Sequence, residues 1–140
     1  MSRVVVDASV AVKWFLPEED SDAARALLNS GHDLLAPDLL YAEVGSVLGK
    51  RARRGEFDRT DGLNMLRALM QLRIVVRPHP PLAEAAWAIC TRYGHSFYDS
   101  LYLALALGSE ARFVTADKRF FNALQDTPLA PHMAWVSEAL

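Results

Sequence analysis

Arg3-Val4-Val5-Val6-Asp7-Ala8-Ser9-Val10-Ala11-Val12-Lys13-Trp14-Phe15-Leu16-Pro17 begins two residues into the chain. Three consecutive valines closed by an acid predict a short buried strand over Arg3–Val6. Ser9 onward reads as a short helix, residues 9–16, stopped by Pro17. The same strand-then-helix unit recurs along the chain. Helices are predicted over residues 21–30, 38–54, 58–73, 82–93, 98–109 and 117–124. Strands are predicted over 33–36, 74–77, 112–115 and 133–136. Alternating strands and helices imply an α/β domain spanning residues 1–140, with helices on both faces of a central parallel sheet of about five short strands. In such sheets the ligand crevice lies outside the carboxyl ends of the strands, so the polar residues there carry the functional question.

Composition narrows the classes. The chain has 140 residues, 51% hydrophobic and 23% charged, which is globular and not disordered. The longest apolar run, residues 101–107, is far short of the roughly 20 residues of a membrane span. Asp7 arrives too early for a secretory signal, and a single cysteine allows no internal disulfide, so a cytoplasmic protein without a membrane partner is expected. The net charge of −2 conceals an asymmetry: residues 1–49 carry three basic and eight acidic groups, residues 50–77 eight basic and three acidic. A protein coating nucleic acid non-specifically would be far more basic, but a local basic patch beside an acidic pocket is compatible with these numbers.

Four carboxylates stand out. Asp7 ends the first strand and Asp117 follows Phe113-Val114-Thr115, so both belong to the strand rim. Each also precedes a helix, where an acid is a common N-cap. Glu43 shares a helical stripe with Leu39 and Val47, where an acid must be solvated, paired or bound to a cation. Asp99 opens the apolar helix and reads either as its cap or as a charge at its mouth. Taken together, four clustered carboxylates need a counter-charge. All-oxygen donors without Cys or His suit Mg²⁺ or Mn²⁺ and not Zn²⁺. Such a site activates water and stabilises charge on a phosphate. The separations of 36, 56 and 18 residues form no local motif, so convergence depends on the fold.

These segments together resemble a PIN domain, specifically the VapC-type toxins of bacterial toxin–antitoxin pairs. The resemblance rests on Val5-Val6-Asp7-Ala8-Ser9, on Glu43 in the long helix, on Phe97-Tyr98-Asp99-Ser100-Leu101-Tyr102, and on Val114-Thr115-Ala116-Asp117-Lys118-Arg119-Phe120. It covers the whole chain and implies a three-layer α/β/α fold, a metal-dependent endoribonuclease acting on RNA, and inhibition by a small antitoxin. It implies that Asp7, Glu43, Asp99 and Asp117 are the catalytic acids that hold Mg²⁺ or Mn²⁺. A homodimer is expected, since two-fold dimers are the commonest oligomers and the family usually forms them.

Other groups admit two readings. Ser9 and Thr115 either hold a carboxylate, contact phosphate or cap locally. Lys50, Arg51, Arg53 and Arg54 either complement a helix C-terminus or form a track for RNA phosphates. Trp14, Phe15 and Leu16 are either core or part of a groove for a partner helix. Cys90 reads as core, and the four histidines as surface or loop residues without ligand spacing. Two other functions compete. A non-catalytic binding module would use the acids only as caps. A phosphatase with an aspartyl nucleophile would want a second acid two residues after Asp7, where this chain has Ser9.

Overall fold

The computed structural model describes residues 2–139. Strands β1 (Arg3–Val6), β2 (Asp33–Pro37), β3 (Val75–Arg77), β4 (Arg112–Thr115) and β5 (Met133–Trp135) form one sheet in the order β3-β2-β1-β4-β5. Every pairing is parallel. Helices α1 (Ala8–Lys13), α2 (Ser21–Leu28), α3 (Leu40–Arg53), α4 (Arg59–Gln71), α5 (Ala83–Tyr93), α6 (Phe97–Gly108) and α7 (Lys118–Ala123) supply the crossovers.

The strand order dictates the layers. From β1 the chain steps to β2 and then β3, returns across the sheet to β4, and continues outward to β5. Right-handed crossovers put α1–α4 on one face and α5–α7 on the other. The direction of winding reverses between β1 and β4, whose register pairs Val5 with Phe113 and Val6 with Val114. That switch point opens a crevice at the strands' carboxyl ends.

The apolar helix foreseen at 98–109 is α6, and its pattern has a packing cause. It lies across β1, β2 and β4, with α5 packed along it. Covered on both sides, Leu101 through Ala106 are all buried, which an amphipathic surface helix could not be.

Some boundaries differ from expectation. The first helix stops at Lys13, and residues 14–16 continue as tight turns, with Phe15 and Leu16 N–H both donating to Val12 O. Pro17 disfavours α geometry at Leu16, which keeps the helix from resuming past these turns. Pro37, one residue past the predicted strand, is the last member of β2 and pairs only with Arg77 of β3. Beyond Leu35 no β1 partner remains, so the missing proline N–H breaks no ladder bond on that side. Trp14 and Leu16 belong to the core, Trp14 donating through Nε1 to Ala24 O at 2.8 Å and so pinning α2. The core reading holds for those two, whereas Phe15 is only partly buried. Cys90 is only partly buried, its Sγ directed at Trp87 O, and is not the core residue its neighbours suggest.

Candidate active site

Four connections bring the four acids to one rim. Asp7 directly follows β1, and Asp117 lies two residues beyond β4. Residues 38 and 39 alone separate β2 from α3, so Glu43, in the first turn of α3, stays near the carboxyl end of β2. Three residues, 109–111, tie the C-terminus of α6 to the start of β4, which leaves the N-terminus of α6 and Asp99 at the opposite, carboxyl end of the strands.

Asp7 is 6% exposed and tightly held. Its Oδ1 accepts from Val10 N–H at 3.1 Å, which caps α1, and from the Ser9 hydroxyl at 2.5 Å. Its Oδ2 accepts from the Thr115 hydroxyl at 2.6 Å. A carboxylate has about four lone-pair positions, so one on Oδ2 is left over. Ser9 in turn accepts from Ala116 N–H and Thr115 from Asp117 N–H, binding the ends of β1 and β4 into one network. Burial raises the Asp7 carboxyl from its ordinary 3.8 to about 6. The hydrogen bonds from Ser9, Thr115 and Val10 oppose that rise, and the Asp99 charge adds to it.

Asp99 does not cap its helix. Ser96 does, its Oγ accepting from Asp99 N–H at 3.0 Å. The Asp99 side chain is thereby spared that duty and sits in the first turn of α6. Burial raises its pKa first and the nearby Asp117 charge raises it further, while Ser96 and His95 act the other way. Glu43 is half-buried and its Oε1 accepts from the Tyr102 hydroxyl at 2.6 Å. Burial and the Asp99 charge raise its pKa, against the Tyr102 bond. Asp117 is exposed and caps α7 through Phe120 N–H. The four acids thus sense one another as a chain: Asp99 acts on Asp7 and on Glu43, and Asp117 acts on Asp99.

Among the described residues none of the four carboxylates is ion-paired. Nor do any three acidic, histidine or cysteine side chains stand close enough to enclose a cation as they are. Uncompensated carboxylates repel, which accounts for mutual influence without a closed shell. The donor set itself fits a hard divalent cation: carboxylate oxygens only, from four elements, with no competing cationic side chain.

The basic run at the end of α3 divides. Arg51 turns toward α1 and pairs with Glu18 at 2.6 Å, whereas Arg53 lines a groove between α3 and α4 with Arg59. Lys50 and Arg54 are exposed.

Tyr102 was not among the residues singled out from the sequence. It is 1% exposed, on the same face of α6 as Asp99, one turn on. The three-residue spacing from Asp99 was the available signal. Burial, joined by the Glu43 charge, pushes its phenol far above the ordinary range, so it stays a donor. Tyr102→Phe is expected to raise the Glu43 pKa further and to cost about 1–2 kcal/mol of stability, since it strips a partly buried carboxylate of its partner. Thermal melting and a pH–rate profile check this; an unchanged acid limb would detach Glu43 from the chemistry. His95, whose charge acts on Asp99, packs edge-on against Phe120 at 5.2 Å.

The comparisons agree with this architecture. Residues 4–124 match the family model for the PIN domain. The chain is similar to Ribonuclease VapC3 of Pyrobaculum aerophilum, with 31% identity over 119 residues, 84% of this chain and 91% of the relative. Among solved structures it is similar to PAE2754 from Pyrobaculum aerophilum, with a TM-score of 0.69 and 26% identity, covering 87% of this chain and 79% of that one. A toxin–antitoxin complex from Klebsiella pneumoniae shares the fold, at TM-score 0.67 and 16% identity, covering 96% and 98%.

Proposed function

The chain belongs to the PIN-domain family, and from that membership we propose that it is the ribonuclease toxin of a toxin–antitoxin pair, an endonuclease that hydrolyses RNA phosphodiester bonds. The observation that supports the reading is that the fold carries four carboxylates, from four elements, to the carboxyl-end rim at the β1–β4 switch point, none of them ion-paired among the described residues.

Asp7, Glu43, Asp99 and Asp117 would hold Mg²⁺ or Mn²⁺, which when bound supplies activation of water and neutralises the charge growing on the phosphate. The residues of the chain do the rest. Ser9, Thr115 and Val10 N–H lock the Asp7 carboxylate in one orientation, with its free lone pair on Oδ2. Glu43, steadied by Tyr102 and with its pKa raised by burial, is suited to take the proton of the attacking water. Preorganisation of this kind means little rearrangement is needed as charge develops.

The two competing functions fare worse. In a binding module the acids would serve as caps, yet Glu43 accepts from Tyr102 and Asp99 leaves capping to Ser96. A phosphatase with an aspartyl nucleophile lacks its second acid, because Ser9 occupies that position and its hydroxyl is committed to Asp7 and Ala116 N–H.

The partners that follow are an RNA substrate and a small antitoxin, whose basic side chain would meet the acids. A homodimer is the expected assembly. Among the described residues no helix is long and apolar enough to cross a membrane. Incubation of structured RNAs with Mn²⁺, with and without EDTA, tests the proposal. Cleavage in Mn²⁺ that EDTA stops is expected; cleavage that persists in EDTA would reject the metal site.

A further inference from the structure

Beside the acidic rim, between α1 and α3, lies a cleft of about 500 Å³ lined by Ser9, Lys13, Glu18, Val47, Arg51 and Ala116 among others. That is within the usual size of ligand clefts, about 300–1,000 Å³. Lys13 and Arg51 reach it from different helices, with side chains only 14% and 27% exposed. Both lean on a single acid: Glu18 Oε1 is 3.6 Å from Lys13 Nζ, and Glu18 Oε2 is 2.6 Å from Arg51 Nη1. Glu19 also lines the cleft but is exposed and, among the described residues, pairs with neither cation, so Lys13 and Arg51 both rest on Glu18 alone. Ser9 joins this cleft to the catalytic rim, since its hydroxyl also donates to Asp7.

We propose that Lys13 and Arg51 form a phosphate subsite for the RNA strand one step from the scissile bond, and that Glu18 occupies their charges until a substrate phosphate displaces it. The inference rests on the nuclease reading of the acidic rim. Four acids repel a polyanion, so a strand laid across them needs cations close by. A phosphodiester carries the same single charge as the Glu18 carboxylate. It can take over the Arg51 fork and the Lys13 point charge, leaving the displaced Glu18 carboxylate to be solvated by water. The Glu18 backbone is anchored, its N–H donating to Ser21 Oγ at 2.8 Å, so only the side chain need swing. Glu18 is thus a positioning residue that competes with substrate.

The test is binding of a single-stranded RNA oligonucleotide in EDTA, by fluorescence anisotropy across a salt series, paired with steady-state cleavage in Mn²⁺. Lys13→Ala and Arg51→Ala are each expected to weaken binding about tenfold. Each should flatten the slope of log Kd against log salt by about 0.7 and raise KM more than it lowers kcat. Glu18→Gln removes the competing charge while keeping the shape of the side chain, and is expected to bind RNA several-fold more tightly. Should an alanine variant fail to fold, Glu18→Gln decides alone, because it leaves both cations in place. Glu18→Gln binding no more tightly than wild type overturns the proposal. So does a folded Arg51→Ala protein with wild-type slope and KM, including the case in which only binding of an acidic protein partner is lost. RNA binding that responds to these variants without any cleavage would instead retain the subsite and reject the nuclease.

Discussion

Asp7→Asn is expected to reduce RNA cleavage by roughly 10²–10³-fold or more, the scale for removing one group that stabilises transition-state charge, while leaving the protein folded. Asparagine still offers an oxygen to Val10 N–H, and it caps helices about as well as aspartate. The Ser9 and Thr115 hydroxyls can rotate to suit an amide. The metal-free variant should moreover be the more stable protein at pH 7. Burial lifts the Asp7 carboxyl from 3.8 to about 6, so the folded state holds the proton more tightly than the unfolded chain. Stability from this group is fully present below pH 3.8 and is lost as pH rises to about 6, a loss of order 3 kcal/mol. The amide of the variant does not titrate, so its advantage should grow from pH 4 to pH 7. Melting curves in EDTA at the two pH values measure this, beside the cleavage assay. Wild-type cleavage by the folded variant would remove Asp7 from the site.

Mn²⁺ is expected to raise the melting temperature, and Asp99→Asn to shrink that rise. At a hundred times the dissociation constant, binding to the folded state alone contributes about 2.7 kcal/mol, about 5–10 °C for a chain of this size. Asp99 stands at the centre of the repulsion, acting on Asp7 and Glu43 and itself acted on by Asp117. Removing its charge relieves the metal-free protein, so that variant should melt at or above wild type. Its gain with metal should be smaller, because one ligand has lost its charge. Because Ser96 and not Asp99 caps α6, loss of capping offers no rival explanation. An equal response of the two proteins in a Mn²⁺ titration would exclude Asp99 from metal binding.

What the sequence disclosed and what it withheld follow from the range of the interactions. Val4–Val6 before Asp7 reads as a buried strand because the signal lies in adjacent residues, and the all-apolar α6 reads as buried for the same reason. Asp7 and Asp117 were visible as both caps and rim acids, and the structure has them as caps at the rim. The bond between Glu43 and Tyr102 spans 59 residues and exists only once α3 and α6, from opposite faces of the sheet, bring their first turns to the same rim. The basic run read as one patch along the chain. Arg51 and Arg53 are two residues apart on a helix, roughly 200° around its axis, and so serve different clefts. Trp14-Phe15-Leu16 read either as core or as part of a groove because hydrophobicity alone cannot tell the two apart; contact with α2 through the Trp14 indole and the burial of Leu16 place those two in the core.

The carboxylate rim is expected to make water, and not the RNA itself, the nucleophile. Mapping the termini left by the wild-type protein on a structured RNA in Mn²⁺ tests it most directly. Products bearing 5′-phosphate and 3′-hydroxyl ends are expected from hydrolysis at a metal site. Products ending in 2′,3′-cyclic phosphate would show attack by the neighbouring ribose hydroxyl and would contradict the account.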